Sequence, residues 1–190
     1  MITQFGQLAW RLLASLFMLA GIAAMSLGSS EPSLNEEALK NMEVHSIWAG
    51  QEPVPLTAGA YRDVSGPADA VETVVRLTEQ ITFGELSGRP AAGAVLVADP
   101  GPSGILYYFL AVVVEQEGEL VNVASSLLGP WVQVDSIAIE DEEIILDMVS
   151  HGPDDPLCCP TREVRLTYVL QEDTLALGSY PGRTSLSARE

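Results

Sequence analysis

Residues 105–114, Ile-Leu-Tyr-Tyr-Phe-Leu-Ala-Val-Val-Val, form an apolar run without a single charged side chain. The run is rich in β-branched and aromatic residues, which favour strands. A run of this length and composition is more typical of a strand buried on both faces than of a helix. We therefore expect a fully buried β-strand at this point of the chain.

The chain from residue 71 onward repeats this kind of pattern at intervals of roughly ten residues. Turn signals separate the runs, among them residues 99–104, Glu117-Gly118 and Glu172-Asp173. The sequence predicts a mainly β fold, an antiparallel sandwich, barrel or curved meander of about seven to nine short strands. The candidate strands are residues 71–77, 81–86, 92–98, 105–114, 120–128, 132–139, 144–149, 164–170 and 175–177.

A short extra helix is expected before the strands, over roughly residues 33–43. Ser33 and Glu36 have the spacing of a capping box, with Ser33 as the N-cap. Glu36 and Lys40 form a favourable pair one helical turn apart. Residues 45–60 are rich in Gly and Pro, which predicts a connector with at most one short strand near residues 56–61.

Residues 12–28 form an apolar segment without charge between Arg11 and Glu31. The segment has the features of a signal peptide, with small residues available for cleavage near its end. At about 17 residues it is also just long enough to cross a thin membrane as an uncleaved N-terminal hydrophobic helix. In both cases the remainder is exported, so we expect a periplasmic or extracellular protein, free or anchored to the inner membrane.

These features predict four parts of the chain: a signal peptide or membrane anchor (1–28), a short helix and linker (29–60), a β-domain (61–178) and a disordered tail (179–190). The formal net charge is -17, and all 26 acidic residues follow Ser30. A charge this negative repels phosphate backbones and acidic lipid headgroups. We therefore expect no nucleic-acid partner, and membrane contact only through residues 12–28 if they are retained.

Cys158 and Cys159 are the only cysteines and are adjacent. Outside the cytoplasm two such thiols are expected to oxidise. A disulfide between neighbours closes an eight-membered ring, for which we expect strain and comparatively easy reduction. Three interpretations stay open: a clamp for a small loop, two buried free thiols, or a redox-active or intermolecular disulfide.

The segment from His151 to Thr161 is the candidate functional loop, and its candidate residues are His151, Asp154, Asp155, Cys158 and Cys159. A nucleophile–base pair of Cys158 and His151, oriented by Asp154 or Asp155, is one chemistry that these residues suggest. A metal site from the same side chains is another. Catalytic Cys and His usually come from different elements, and no spacing here matches a known metal motif. We therefore predict no catalytic residue, no metal and no cofactor.

The chain resembles a widespread set of uncharacterised exported bacterial β-domains. Residues that carry the resemblance are Tyr61, Gly84-Glu85-Leu86, Asn122-Val123-Ala124 and, most specifically, the segment His-Gly-Pro-Asp-Asp-Pro-Leu-Cys-Cys-Pro-Thr at 151–161. The match covers most of residues 39–177. The family carries no established activity, so the resemblance implies location and fold class rather than chemistry.

One family element, Gly-Asp-Leu-x-Gly-Asp-Gly, is similar to the calcium-binding loop of FG-GAP repeats, in which aspartates supply oxygen ligands. The corresponding stretch here is Gly-Glu-Leu-Ser-Gly-Arg-Pro at residues 84–90. One carboxylate remains, and Arg89 places a positive charge where the family has an acid. We therefore expect that this loop does not bind calcium.

The sequence favours a non-catalytic, exported binding or interaction module of the bacterial cell envelope. Its ligand would be a protein, peptide or glycan, and its loops would be the recognition surface. One alternative is a thiol-disulfide or redox-sensing protein that uses the Cys158–Cys159 pair. Another is a membrane-anchored accessory subunit of an envelope complex.

Overall fold

The computed structural model describes residues 34–46, 52–63, 72–156 and 158–178. The predicted signal or anchor segment (12–28), the tail (179–190) and the proposed cap Ser33 lie outside these residues. The part of the chain that is described has no helix long and apolar enough to cross a membrane.

One helical turn and eleven strands make up the described chain. They are α1 (Glu36–Leu39), β1 (Glu43–Val44), β2 (Val54–Pro55), β3 (Ala60–Arg62), β4 (Val74–Leu86), β5 (Arg89–Asp99), β6 (Tyr107–Gln116), β7 (Glu119–Pro130), β8 (Gln133–Glu140), β9 (Glu143–Ser150), β10 (Arg162–Gln171) and β11 (Thr174–Leu177). Strands β4–β11 correspond to the predicted set, and β3 overlaps the short strand expected near residues 56–61. Strands β1 and β2, with two residues each, were not predicted.

The strands form three antiparallel sheets in which neighbours along the chain are neighbours in the sheet. A five-stranded sheet has the order β3-β4-β5-β6-β7, a four-stranded sheet the order β11-β10-β9-β8, and β1 pairs with β2. Two-residue turns join most of the long strands, which is how antiparallel meanders are built. The predicted mainly β, antiparallel fold is confirmed.

The apolar run at residues 105–114 becomes β6, which is buried on both faces as expected. Its side chains alternate between two hydrophobic clusters because successive residues of a strand point to opposite sides. Phe109, Ala111 and Val113 belong to the first cluster. Leu110, Val112 and Val114 belong to the second.

The first cluster lies between the five-stranded sheet and the segment that precedes it in the chain. Leu39 of α1, Met42 and Val44 of β1 contribute buried side chains to this cluster, as do Val54 and Leu56. Leu39 and Val44 have no exposed surface. The described residues between 34 and 63 therefore form a layer of the domain core.

The second cluster lies between the two large sheets, where Ile144, Leu146 and Tyr168 of the four-stranded sheet meet β5 and β6. Strand β4 comes very close to β8 at Gly84. A Cβ atom on Gly84 would lie 2.6 Å from Cγ2 of Ile139. Glycine is therefore required here by the close approach of two strands.

The helix is much shorter than the predicted 33–43, because the chain turns at Lys40 and then enters β1. Asn35 is its N-cap, and Asn35 Oδ1 accepts a hydrogen bond of 2.9 Å from the Ala38 amide. The Glu36–Lys40 ion pair is confirmed, at 2.6 Å. Pairing of residues 43–44 with β2 and burial of Val44 outweigh helix propensity over the rest of the segment.

The two strands predicted at 71–77 and 81–86 are one strand, β4. Its pairing with β5 shifts register between Leu77 and Ile81. The hydroxyl of Thr78 donates a hydrogen bond of 2.8 Å to the Val95 carbonyl at this irregularity. A bulge of this kind interrupts the alternation of side chains without ending the strand, so the sequence pattern suggests a break.

Candidate functional site

Four two-residue turns lie together at one end of the two large sheets, which we call the turn end: Ser87-Gly88, Glu117-Gly118, Asp141-Glu142 and Glu172-Asp173. The Gly88 amide donates to Glu142 Oε1 at 3.2 Å. Arg89 pairs with Asp173 at 3.6 Å. These contacts tie the β4–β5 hairpin to both hairpins of the four-stranded sheet.

The other connections, two of which are longer, lie at the opposite end, which we call the loop end, because antiparallel strands alternate in direction. It carries the connections 100–106, 131–132 and 151–161. The Trp131 amide donates to the Leu106 carbonyl at 3.0 Å, which joins the first two. Gln133, just beyond the second, pairs with Val149 near the start of the third.

Asp155 is the centre of the 151–161 loop. Its Oδ2 accepts hydrogen bonds of 2.7 Å from the Gly152 amide and 2.7 Å from the Thr161 amide. Its Oδ1 accepts from the Thr161 hydroxyl at 2.8 Å. Gly152 follows β9 closely and Thr161 directly precedes β10, so one carboxylate holds the two ends of the loop together.

The same bonds favour the ionised form of the carboxyl group. Donation from the Gly152 amide, followed by donation from the Thr161 hydroxyl and amide, lowers the pKa of Asp155 below its ordinary value. Partial desolvation opposes this shift, and the charge of His151 adds to it. The half-buried Asp155 is therefore held as a carboxylate that accepts bonds from its own loop.

Replacing Asp155 with asparagine should lower the melting temperature by a few degrees at neutral pH, because the amide nitrogen cannot accept the bonds of the second oxygen. A lowered folded-state pKa gives stability that is complete above the unfolded-state pKa and is lost as pH falls through the folded-state value. The difference between native and Asp155→Asn proteins should therefore be constant from pH 7 to about 5 and shrink below about 4. Thermal denaturation of both proteins across this range measures it. A difference that grows on acidification would contradict the clamp.

Cys158 and Cys159 are joined by a disulfide, and both residues are exposed. Their Cα atoms are 3.8 Å apart. The Cys159 amide donates to the Pro156 carbonyl at 3.0 Å. The disulfide-bonded pair is thus exposed, and it lies in the chain between Gly152 and Thr161, the two residues that Asp155 connects.

The five candidate residues share one loop, and three of them, Asp155, Cys158 and Cys159, interact within that loop. Both oxygens of Asp155 accept bonds from the loop itself, and Cys158 is bonded to Cys159. Asp154 is exposed and His151 is half-buried. Among the described residues, no group of three or more His, Cys, Asp or Glu side chains is placed to hold a metal ion.

The stretch that resembles a degenerate calcium loop forms the β4–β5 hairpin. Ser87 and Gly88 have φ values of 51° and 69°, as a tight hairpin turn requires. Arg89 lies beside an open groove of about 720 Å³, lined also by Glu115, Gln116, Glu117, Glu119 and Val121. The Arg89 guanidinium thus supplies positive charge among carboxylates at the turn end. That this stretch does not bind calcium stays a prediction.

Asn122 is a buried polar residue whose role the sequence reasoning missed. Its side-chain amide donates to the carbonyls of Val112 and Ala124, each at 2.9 Å. Its Oδ1 accepts from the His45 amide at 2.8 Å and from the Ser125 hydroxyl at 3.2 Å. A lone amide within the apolar stretch from 120 to 124 is the sequence signal that could have revealed it, because a buried polar group needs partners.

Comparison with protein-family models, with curated proteins and with solved structures gave no match for this chain. The resemblance to exported bacterial β-domains therefore stays a prediction.

Proposed function

We propose that this protein is a non-catalytic binding module of the bacterial cell envelope that recognises a protein, peptide or glycan through its loop end. The observation that carries the proposal is the Asp155 clamp, which gives the 151–161 loop a defined shape at the end of a β scaffold. Binding residues are often found on loops that a rigid scaffold positions. A loop with fixed ends also loses less conformational entropy when it binds.

The side chains that could suggest catalysis have other roles in this loop. A general base needs a free lone pair directed at substrate. Asp155 directs its oxygens at Gly152 and Thr161 instead. A nucleophilic cysteine needs a thiolate, and Cys158 is in a disulfide. These hydrogen bonds and the disulfide favour binding over catalysis.

The two ends of the domain differ in a way that favours the loop end as the recognition surface. The turn end consists of two-residue turns, and the β4–β5 hairpin bonds there to both hairpins of the four-stranded sheet. The loop end presents exposed side chains on a longer connection, among them Asp154, Cys158 and Cys159. The exposed side chains of this longer connection are therefore the surface that we propose a partner contacts.

Charge reversal at each end gives a matched test. Asp154→Arg changes an exposed residue of the 151–161 loop, and Glu117→Arg makes the same change in charge at an exposed residue of the turn end. With immobilised protein and envelope extract, Asp154→Arg should reduce recovery of the bound partner by about tenfold or more, and Glu117→Arg by less than about twofold. Equal losses in the two variants, or loss only in Glu117→Arg, would refute recognition by the loop end.

The location in the envelope is part of the same proposal and rests on the apolar segment 12–28. Intact-mass measurement of the protein recovered from the envelope tests it. A mature N-terminus near Ser26 or Ser29 indicates a free module. A retained segment in the membrane fraction supports the anchored accessory subunit, and recovery from the cytoplasm alone would overturn the proposed location.

A further inference from the structure

We propose that the Cys158–Cys159 disulfide is a thiol–disulfide exchange site, open to dithiol reductants in the native fold. The inference does not depend on the binding function proposed above. It rests on the position of the bond in the loop and on what holds the loop in shape.

Both sulfur-bearing residues are exposed, so an attacking thiolate can approach without any prior opening of the domain. The rate of thiol–disulfide exchange depends strongly on such access. Neither cysteine belongs to the two hydrophobic clusters. Breaking the bond therefore leaves both packed layers of the core as they are.

Hydrogen bonds that do not involve the disulfide hold the 151–161 loop in shape. Asp155 connects Gly152 to Thr161 through hydrogen bonds. Both cysteines lie in the chain between these two residues. A disulfide between adjacent residues closes a very small ring, and the chain entropy that a cross-link removes grows with the size of the ring. The bond consequently contributes little to holding the domain folded, and reduction leaves the clamp intact.

The reaction transfers two electrons and two protons. A thiolate of the dithiol attacks one sulfur of the pair, which forms a mixed disulfide and releases the other sulfur as a thiolate. The second thiol of the reductant then attacks the mixed disulfide. The products are the reduced Cys158 and Cys159 thiols and an oxidised, disulfide-bonded reductant.

Charge around the pair indicates which dithiols fit best. Asp154 is an exposed acid four residues before Cys158, and the chain as a whole carries a net charge of -17. An acidic reductant is repelled at close approach, whereas a dithiol protein with a basic rim is attracted. Dithiothreitol is the appropriate probe of the site itself because it is small and brings no charged protein surface, although it too reacts as a thiolate.

Reduction by dithiothreitol, followed by alkylation and intact-mass measurement, tests the proposal. The native protein should gain two alkyl groups at a rate within about threefold of the rate in denaturant, with the far-UV circular dichroism spectrum unchanged. The Cys158→Ser, Cys159→Ser double variant should fold and melt within about 2–4 °C of the native protein. The Asp155→Asn variant should lose thermal stability yet keep a rapidly reducible bond, which separates the clamp from the disulfide.

A native rate more than about a hundredfold below the denatured rate would overturn the proposal, because reduction would then require opening of the structure. Loss of the β-sheet signal in the far-UV circular dichroism spectrum on reduction would overturn the proposal as well. The disulfide would then be required to keep the domain folded. Both outcomes leave the test of partner binding at Asp154 unaffected.

Discussion

Replacing Asn122 with aspartate should destabilise the domain by about 3 kcal/mol at neutral pH. The two side chains have nearly the same shape, but a carboxylate has no N–H to donate to the carbonyls of Val112 and Ala124. It would instead place negative charge against two carbonyl oxygens at a site that is 6% exposed. Urea denaturation of the native and substituted proteins measures the difference.

Two comparisons make this prediction specific to the hydrogen bonds. Asn35→Asp applies the same chemical change at an exposed N-cap, where aspartate serves equally well, and should alter stability by less than about 0.5 kcal/mol. Protonation of the buried carboxyl would remove its charge and supply one donor, so the loss caused by Asn122→Asp should shrink under mildly acidic conditions. A pH-independent loss of under about 1 kcal/mol would contradict the role assigned to Asn122.

Replacing Leu39 with alanine should cost about 2–5 kcal/mol, as expected for a fully buried leucine. Leu39 belongs to the turn of helix before β1, and its side chain packs into the first hydrophobic cluster without exposed surface. The substitution leaves a cavity between this segment and the five-stranded sheet. Thermal and urea denaturation of the two proteins provide the measurement.

Glu43→Ala is the matched control because Glu43 is an exposed residue of the same segment. It should change stability by less than about 0.5 kcal/mol. If Leu39→Ala were equally mild, the segment would not be part of the cooperative core. A loss confined to Leu39→Ala shows that the domain folds together with the residues that precede its main sheets.

The long strands were predictable from the sequence because their apolar residues and turn signals are local. The run that became β6 and the turn at Glu117-Gly118 are examples. The predictions of secondary structure were wrong where contacts with residues distant in the sequence determine the local structure. Val44 pairs with Val54, which ends the predicted helix early, and the bulge after Leu77 makes one strand resemble two.

The candidate loop was also predictable, since Gly, Pro and Asp mark residues 151–161 as irregular. The role of Asp155 was not. An aspartate beside a histidine and two cysteines suggests a metal or catalytic group, and only the positions of Gly152 and Thr161 show that its oxygens are already used. Asn122 was missed for the same reason, because its partners His45 and Val112 come from other strands or segments.

Site-specific photo-crosslinking tests the central claim, recognition by the loop end, most directly. A photoreactive amino acid at position 154 samples the loop end, and one at position 117 samples the turn end through a residue that is also exposed. We expect a discrete cross-linked product in the envelope from position 154 and none from position 117. No discrete product from position 154, or the same product from both positions, would contradict recognition by the loop end.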